Sequence, residues 1–239
     1  MSAIWRADAE RLLMQADSPP VMTTAMLHAL VTTGRADAPS ASTFTRWVRA
    51  MAGAGKLQEV IKGVYLNRLG HREVSKAAAA HWVRSRSVVS LSWVLEQSHI
   101  TNNFGDTITC VIGTEAGLPN PQIGDRSTAA GVFRFFAMPA RLVDERAGRL
   151  EDIRDLRFNY PRTTPEKALL DWIFLGSTPR SRMTRPPFDL DIDALNARRI
   201  RRIAKSMGVS PLLEEWMGQY AQYQSDGDVR ENTATRMRF

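Results

Sequence analysis

Cysteine is nearly missing from this 239-residue chain. Cys110 stands alone, so no disulfide can form within the chain, and a reducing compartment is its natural setting. The histidines are few as well. His28, His71, His81 and His99 show no metal-ligand spacing, and a single cysteine cannot complete a zinc site. Neither a metal nor a cofactor is expected. There is no Gly-x-Ser-x-Gly elbow. Gly53-Ala54-Gly55-Lys56 falls short of a phosphate loop, because Leu57 stands where Ser or Thr is needed and Ala50 where the first Gly is needed. The carboxylates do not cluster as a metal-dependent nuclease requires. These absences point away from an enzyme. Long apolar runs are lacking too: residues 168–175 form the best one, and Asp171 interrupts it. Residues 1–13 carry Arg6, Asp8, Glu10 and Arg11 in place of an apolar leader core. A cytoplasmic protein without a membrane partner is the expectation.

What the chain does have is positive charge and enough apolar material for a core. It is 44% hydrophobic, with a formal net charge of +7 and a pI near 10.1. Nucleic acid is the first partner such a balance suggests, because Lys and Arg displace the counterions condensed on phosphate.

Helical spacing over residues 3–15 ends at Ser18-Pro19-Pro20, since two prolines cannot sit inside a helix. Thr23 or Thr24 can cap a second helix running to Val31, and Gly34 can end it. A third helix is predicted over 42–52, where Phe44, Trp47, Val48 and Met51 fall at i, i+3, i+4 and i+7 as one buried stripe. Two β-prone runs, 57–61 and 64–66, flank Lys62-Gly63, which is a hairpin signal. Three helices and a hairpin outline a winged helix-turn-helix over residues 1–70. A mixed α/β domain is expected over 71–224, and a loose polar tail over 225–239. The fold class is α/β in the broad sense (α+β).

Within the second domain, a helix is predicted over 71–84, strands over 87–90, 107–113 and 131–138, and helices over 92–98, 166–175, 192–207 and 211–224. Thr163 and Glu166 have capping-box spacing, and Pro165 suits a first helical turn. A mostly disordered or basic linker is expected over 176–187. Cys110 reads as a small buried hydrophobe.

In a helix-turn-helix the second helix of the motif enters the major groove. Here its outer face offers Ser42, Thr43, Thr45, Arg46 and Arg49, hydroxyls and guanidiniums suited to base edges and phosphates. Residues 40–69 hold Arg46, Arg49, Lys56, Lys62 and Arg68 against the single acid Glu59. These eight hydroxyl and basic residues form the candidate DNA-binding set, with Lys62 at the wing tip. A second basic cluster, Arg198, Arg199, Arg201, Arg202 and Lys205, suits a solvated face, an acidic partner or DNA equally well.

Three blocks resemble AbiEi-type antitoxins of bacterial toxin–antitoxin operons. They are the wing Ile61-Lys62-Gly63-Val64-Tyr65-Leu66, the segment Val89-Ser90-Leu91-Ser92 with Leu95 and His99, and Thr163-Thr164-Pro165-Glu166-Lys167-Ala168-Leu169-Leu170-Asp171. Lys62 departs from the Arg often found before the wing glycine, and Ile100 from a glycine after the histidine. The resemblance implies a winged helix that binds inverted repeats in operator DNA and represses its own operon. It also implies a second domain that neutralises a nucleotidyltransferase toxin without a stable complex. The alternative is a stand-alone winged-helix transcription factor whose second domain senses a small ligand.

Overall fold

The computed structural model describes residues 4–69, 73–102 and 105–236, with side chains described to 226. The chain is α+β and divides into two compact units. The first comprises residues 1–85 with 106–108 and 125–133, and the second comprises the rest.

The first unit runs α1 (Ile4–Met14), β1 (Val21–Thr23), α2 (Thr24–Thr32), α3 (Ala41–Gly53), β2 (Leu57–Ile61) and β3 (Val64–Asn67). The three strands form an antiparallel sheet in the order β1-β3-β2. This is winged-helix topology, and β1 is the element the sequence reading lacked: three residues are too few to show a period. Thr23 ends β1 and caps α2, its hydroxyl accepting from the Met26 amide at 3.1 Å. Ser40 caps α3. The predicted stripe of α3 is buried and packs with Trp5, Leu13, Leu27, Val31 and Leu57. Trp5 meets Trp47 edge to face at 5.5 Å, a geometry that suits the aromatic quadrupole.

The first unit does not end at residue 70. Arg68 donates to the Val74 carbonyl at 2.6 Å, and the buried alanines Ala77 to Ala80 follow. They form a 3-10 turn (Lys76–Ala79) and the one-turn α4 (Ala80–Val83), in place of the long helix expected from residue 71. The boundary falls between Ser85 and Arg86. His71 and the start of that expected helix lie outside the described residues.

The later elements are β4 (Ser87–Val89), α5 (Ser92–Gln97), β5 (Ile108–Thr114), β6 (Gly124–Thr128), β7 (Gly131–Pro139), α6 (Leu150–Ile153), α7 (Pro165–Gly176), α8 (Ala197–Met207) and α9 (Ser210–Arg236). The strands pair in the order β4-β5-β7-β6. Cys110 is fully buried, and burial pushes its thiol pKa up.

Helix α7 is the axis of the second unit. Residues on nearly every side of it are buried, as expected for a helix inside a core, and it packs against α5, α8 and α9. The segment expected as a basic linker is fitted closely against it. Trp172 Nε1 donates to the Thr184 carbonyl at 2.9 Å, and Trp216 Nε1 to the Pro186 carbonyl at 3.1 Å. A Cβ on Gly176 would come within 2.6 Å of Arg185 Cα, so only glycine fits. The tail expected to be loose continues α9 as helical backbone to Arg236. Pro211 sits in the first turn, where it is tolerated, and no later proline removes a backbone donor.

Candidate nucleic-acid interface

On α3 the residues opposite the buried stripe form a second stripe. Ser42, Thr45, Arg46 and Arg49 follow the same i, i+3, i+4, i+7 spacing, and all four are exposed. The first turn of α3 carries no acid, so the helix dipole leaves its start attractive to anions. Thr45 donates back to the Ala41 carbonyl at 2.9 Å, which holds its side chain along the helix. Thr43 is half-buried, with its hydroxyl 3.0 Å from Ser40 Oγ and its amide on that cap.

Three acids of the first unit are paired with other cations, and Glu59 accepts from the Gly63 amide at 3.4 Å. Arg35 takes Asp8 and Asp37, each at 3.0 Å. Asp37 also accepts from the Trp5 amide at 3.1 Å. The hydrogen bond from Arg35 holds the Asp37 carboxyl below its ordinary range and raises the pKa of Arg35. Lys56 takes Glu10 at 2.6 Å. Among the described residues, neither Arg46 nor Arg49 has an acid within ion-pair distance.

The wing tip is fixed. The Gly63 carbonyl accepts from the Thr24 amide at 2.8 Å and from Thr24 Oγ1 at 3.3 Å. Gly63 has φ +79°, and a Cβ there would sit 3.0 Å from Thr24 Oγ1. The start of α2 therefore holds the turn that carries the exposed Lys62. On β2, the Val60 carbonyl accepts from the Ala129 amide at 3.2 Å.

The candidate set thus divides. Ser42, Thr45, Arg46, Arg49 and Lys62 are available to a ligand. Lys56, half-exposed, ties the start of β2 to α1. Arg68 grips Gln58 Oε1 through two nitrogens, at 3.1 and 2.7 Å, and the Val74 carbonyl. It shapes the first unit instead of facing outward. Sequence alone could not tell Arg68 from Arg46, because burial of an arginine depends on partners distant in the chain.

The second basic cluster also divides. Arg202 makes a two-nitrogen bond to Asp152, at 2.7 and 2.5 Å. Arg199 lies 3.6 Å from Asp152 and 3.5 Å from Glu166. Arg198, Arg201 and Lys205 remain exposed. The expected capping box does not form. Thr164 is the cap of α7, accepting from the Lys167 amide at 3.4 Å, and Pro165 is the first helical residue. Glu166 turns away to accept from the Asn196 amide at 3.1 Å.

The block 163–171 is almost wholly buried. Lys167 bonds Asp171, which also accepts from Ser90 Oγ at 2.7 Å, and Ser90 lies 3.1 Å from Thr163 Oγ1. Burial pushes the Lys167 pKa down and the Asp171 pKa up, and their pairing opposes both shifts. Ser90 and Lys167 are enclosed, so this network ties β4 to α7 and presents no nucleophile to a substrate. Among the described residues no three His, Cys, Asp or Glu side chains come together to hold a metal ion. No helix among them is long and apolar enough to cross a membrane.

No family model matches the chain, and no curated protein matches it. Among solved structures it is similar to the RV2827C protein from Mycobacterium tuberculosis. The two are 17% identical over 88% of this chain and 76% of that one, with a TM-score of 0.48. The functional reading rests on the chain's own side chains.

Proposed function

We propose that the first unit binds double-stranded DNA, with α3 as the reading helix and Lys62 as a backbone or minor-groove contact. The observation that carries this is the exposed stripe Ser42, Thr45, Arg46 and Arg49 on a capped helix, with no acid among the described residues at ion-pair distance from its arginines. Winged helices also serve as protein-docking modules. Positive charge left unpaired beside a pinned wing favours a polyanion over a neutral protein surface. The protein is read as a cytoplasmic transcription regulator.

The finer reading is an autoregulatory antitoxin acting on inverted repeats and against a nucleotidyltransferase toxin. It draws its support from the sequence resemblance. The most recognisable block of that resemblance, 163–171, is buried. In this chain it would act by building the second unit, and any neutralising surface would lie elsewhere.

The deciding experiment is binding of purified protein to its own upstream region, beside a scrambled duplex, across a salt series. Specific, salt-sensitive binding is expected. Equal binding to both duplexes, or none, overturns the regulator. Expressing the neighbouring toxin with full-length or truncated protein tests the antitoxin reading separately.

A further inference from the structure

At the N-terminus of α7, within the second unit, lies a cavity of about 480 Å³. Arg162 lines it and is 4% exposed. For a buried cation its partners are few. Nη2 donates to Ser98 Oγ at 3.2 Å, the guanidinium lies 4.1 Å over the Phe158 ring, and Nε is buried without a hydrogen-bond partner. No carboxylate lies within ion-pair distance of it among the described residues.

The nearby acids are engaged in part by other groups, and Asp155 also feels the charge of Arg162. Asp155 accepts from Arg157 at 2.9 and 2.8 Å. Glu166, which also lines the cavity, accepts from the Asn196 amide through Oε1, while its Oε2 lies 3.5 Å from Arg199 and is buried without a hydrogen-bond partner. A second cavity, of about 540 Å³, shares Arg157 and Pro165 with the first and is lined by Arg154, whose Nη1 is likewise buried without a partner. Two under-satisfied arginines therefore flank Thr164 and Pro165, at the positive end of a 12-residue helix.

A buried guanidinium with no carboxylate at ion-pair distance is costly, and a helix start adds positive potential. We infer that the cavity at the start of α7 binds a small molecule through an oxyanion, a phosphate or a carboxylate group, held by Arg162 and Arg157. The volume suits a metabolite-sized ligand. Glu166 on the lining disfavours a polyanion, so one charged group on an otherwise neutral molecule fits best. The inference does not depend on DNA binding by the first unit.

The test titrates full-length protein with inorganic phosphate and, separately, with butyrate, a monocarboxylate, at ionic strength held constant with chloride. Calorimetry and the arginine Nε–H resonances report binding. Saturable binding is expected, lost in Arg162→Gln and weakened severalfold in Arg157→Gln. The Arg157 side chain is 80% exposed but pairs with the buried Asp155, so a denaturation curve accompanies the second variant, and once shown to be folded it decides the matter if Arg162→Gln does not fold. A response to phosphate alone assigns a phosphate ester, and a response to butyrate alone assigns a carboxylate. The inference is overturned if neither binds saturably, or if Arg157→Gln leaves affinity unchanged.

Discussion

Helix α3 offers Arg46 and Arg49 to solvent, whereas α8 turns Arg199 and Arg202 back onto Asp152 and Glu166. Both helices read as amphipathic with a basic face. The difference lies in what the fold sets against them. Around α8 the acids are themselves buried, at 2% exposure for Asp152 and 5% for Glu166, and each needs a cation. In the first unit Asp8, Asp37 and Glu10 are claimed by Arg35 and Lys56. A row of arginines thus holds the protein together in one unit and stands open in the other.

The contrast can be broken at its buried extreme first. Asp171→Ala leaves Lys167 enclosed without its counter-ion, and an uncompensated buried charge costs about 3–5 kcal/mol. Chemical denaturation should show that loss. A change within the noise would mean that the network ties nothing together.

Arg202→Ala and Arg46→Ala then sharpen the comparison. The first removes a charge-assisted bond from a buried carboxylate and should cost about 1–3 kcal/mol of stability. The second should leave stability within about 0.5 kcal/mol and cost about 1–3 kcal/mol in operator binding, blurring specificity at one base. Measuring both properties on both variants separates the roles. A loss of stability in Arg46→Ala with binding intact would reverse the assignment.

Acid titration, compared between wild type and Asp152→Asn, probes the paired face. The hydrogen bond from Arg202, with the charge of Arg199, holds the Asp152 carboxyl below its ordinary range. Its contribution is complete above the unfolded pKa of about 3.9 and is lost as pH falls through the lower, folded value. Stability should therefore fall below about pH 4, and Asp152→Asn should flatten part of that fall. The smallest effect belongs to the wing. Lys62→Ala should weaken binding alike on all sequences and lower the salt slope by about one.

The winged part was legible because its signals are local. The stripe of α3, the Lys62-Gly63 turn and the Thr23 cap each act within a few residues, where period and turn chemistry speak directly. β1 and β6 were not legible: one is very short, and the other is mostly exposed, so neither shows strand alternation. The candidate site was half legible. Arg46, Arg49 and Lys62 belong to it by helix and turn geometry. Arg68 and Lys56 were grouped with them by charge, and their partners Gln58, Val74 and Glu10 became visible only in three dimensions. Arg154 and Arg162 carried no sequence signal, since the burial of a lone arginine depends on parts of the chain distant from it.

The amino-acid order alone determined the α+β class, the winged outline, the core stripe of α3 and the excess of positive charge, because these follow from spacing, capping and composition. Only the tertiary structure decided which cations remain open and which are consumed, where the first unit ends, and that the block 163–171 lies inside. Those outcomes depend on carboxylates and carbonyls brought together from distant parts of the chain, and no local pattern encodes the encounter.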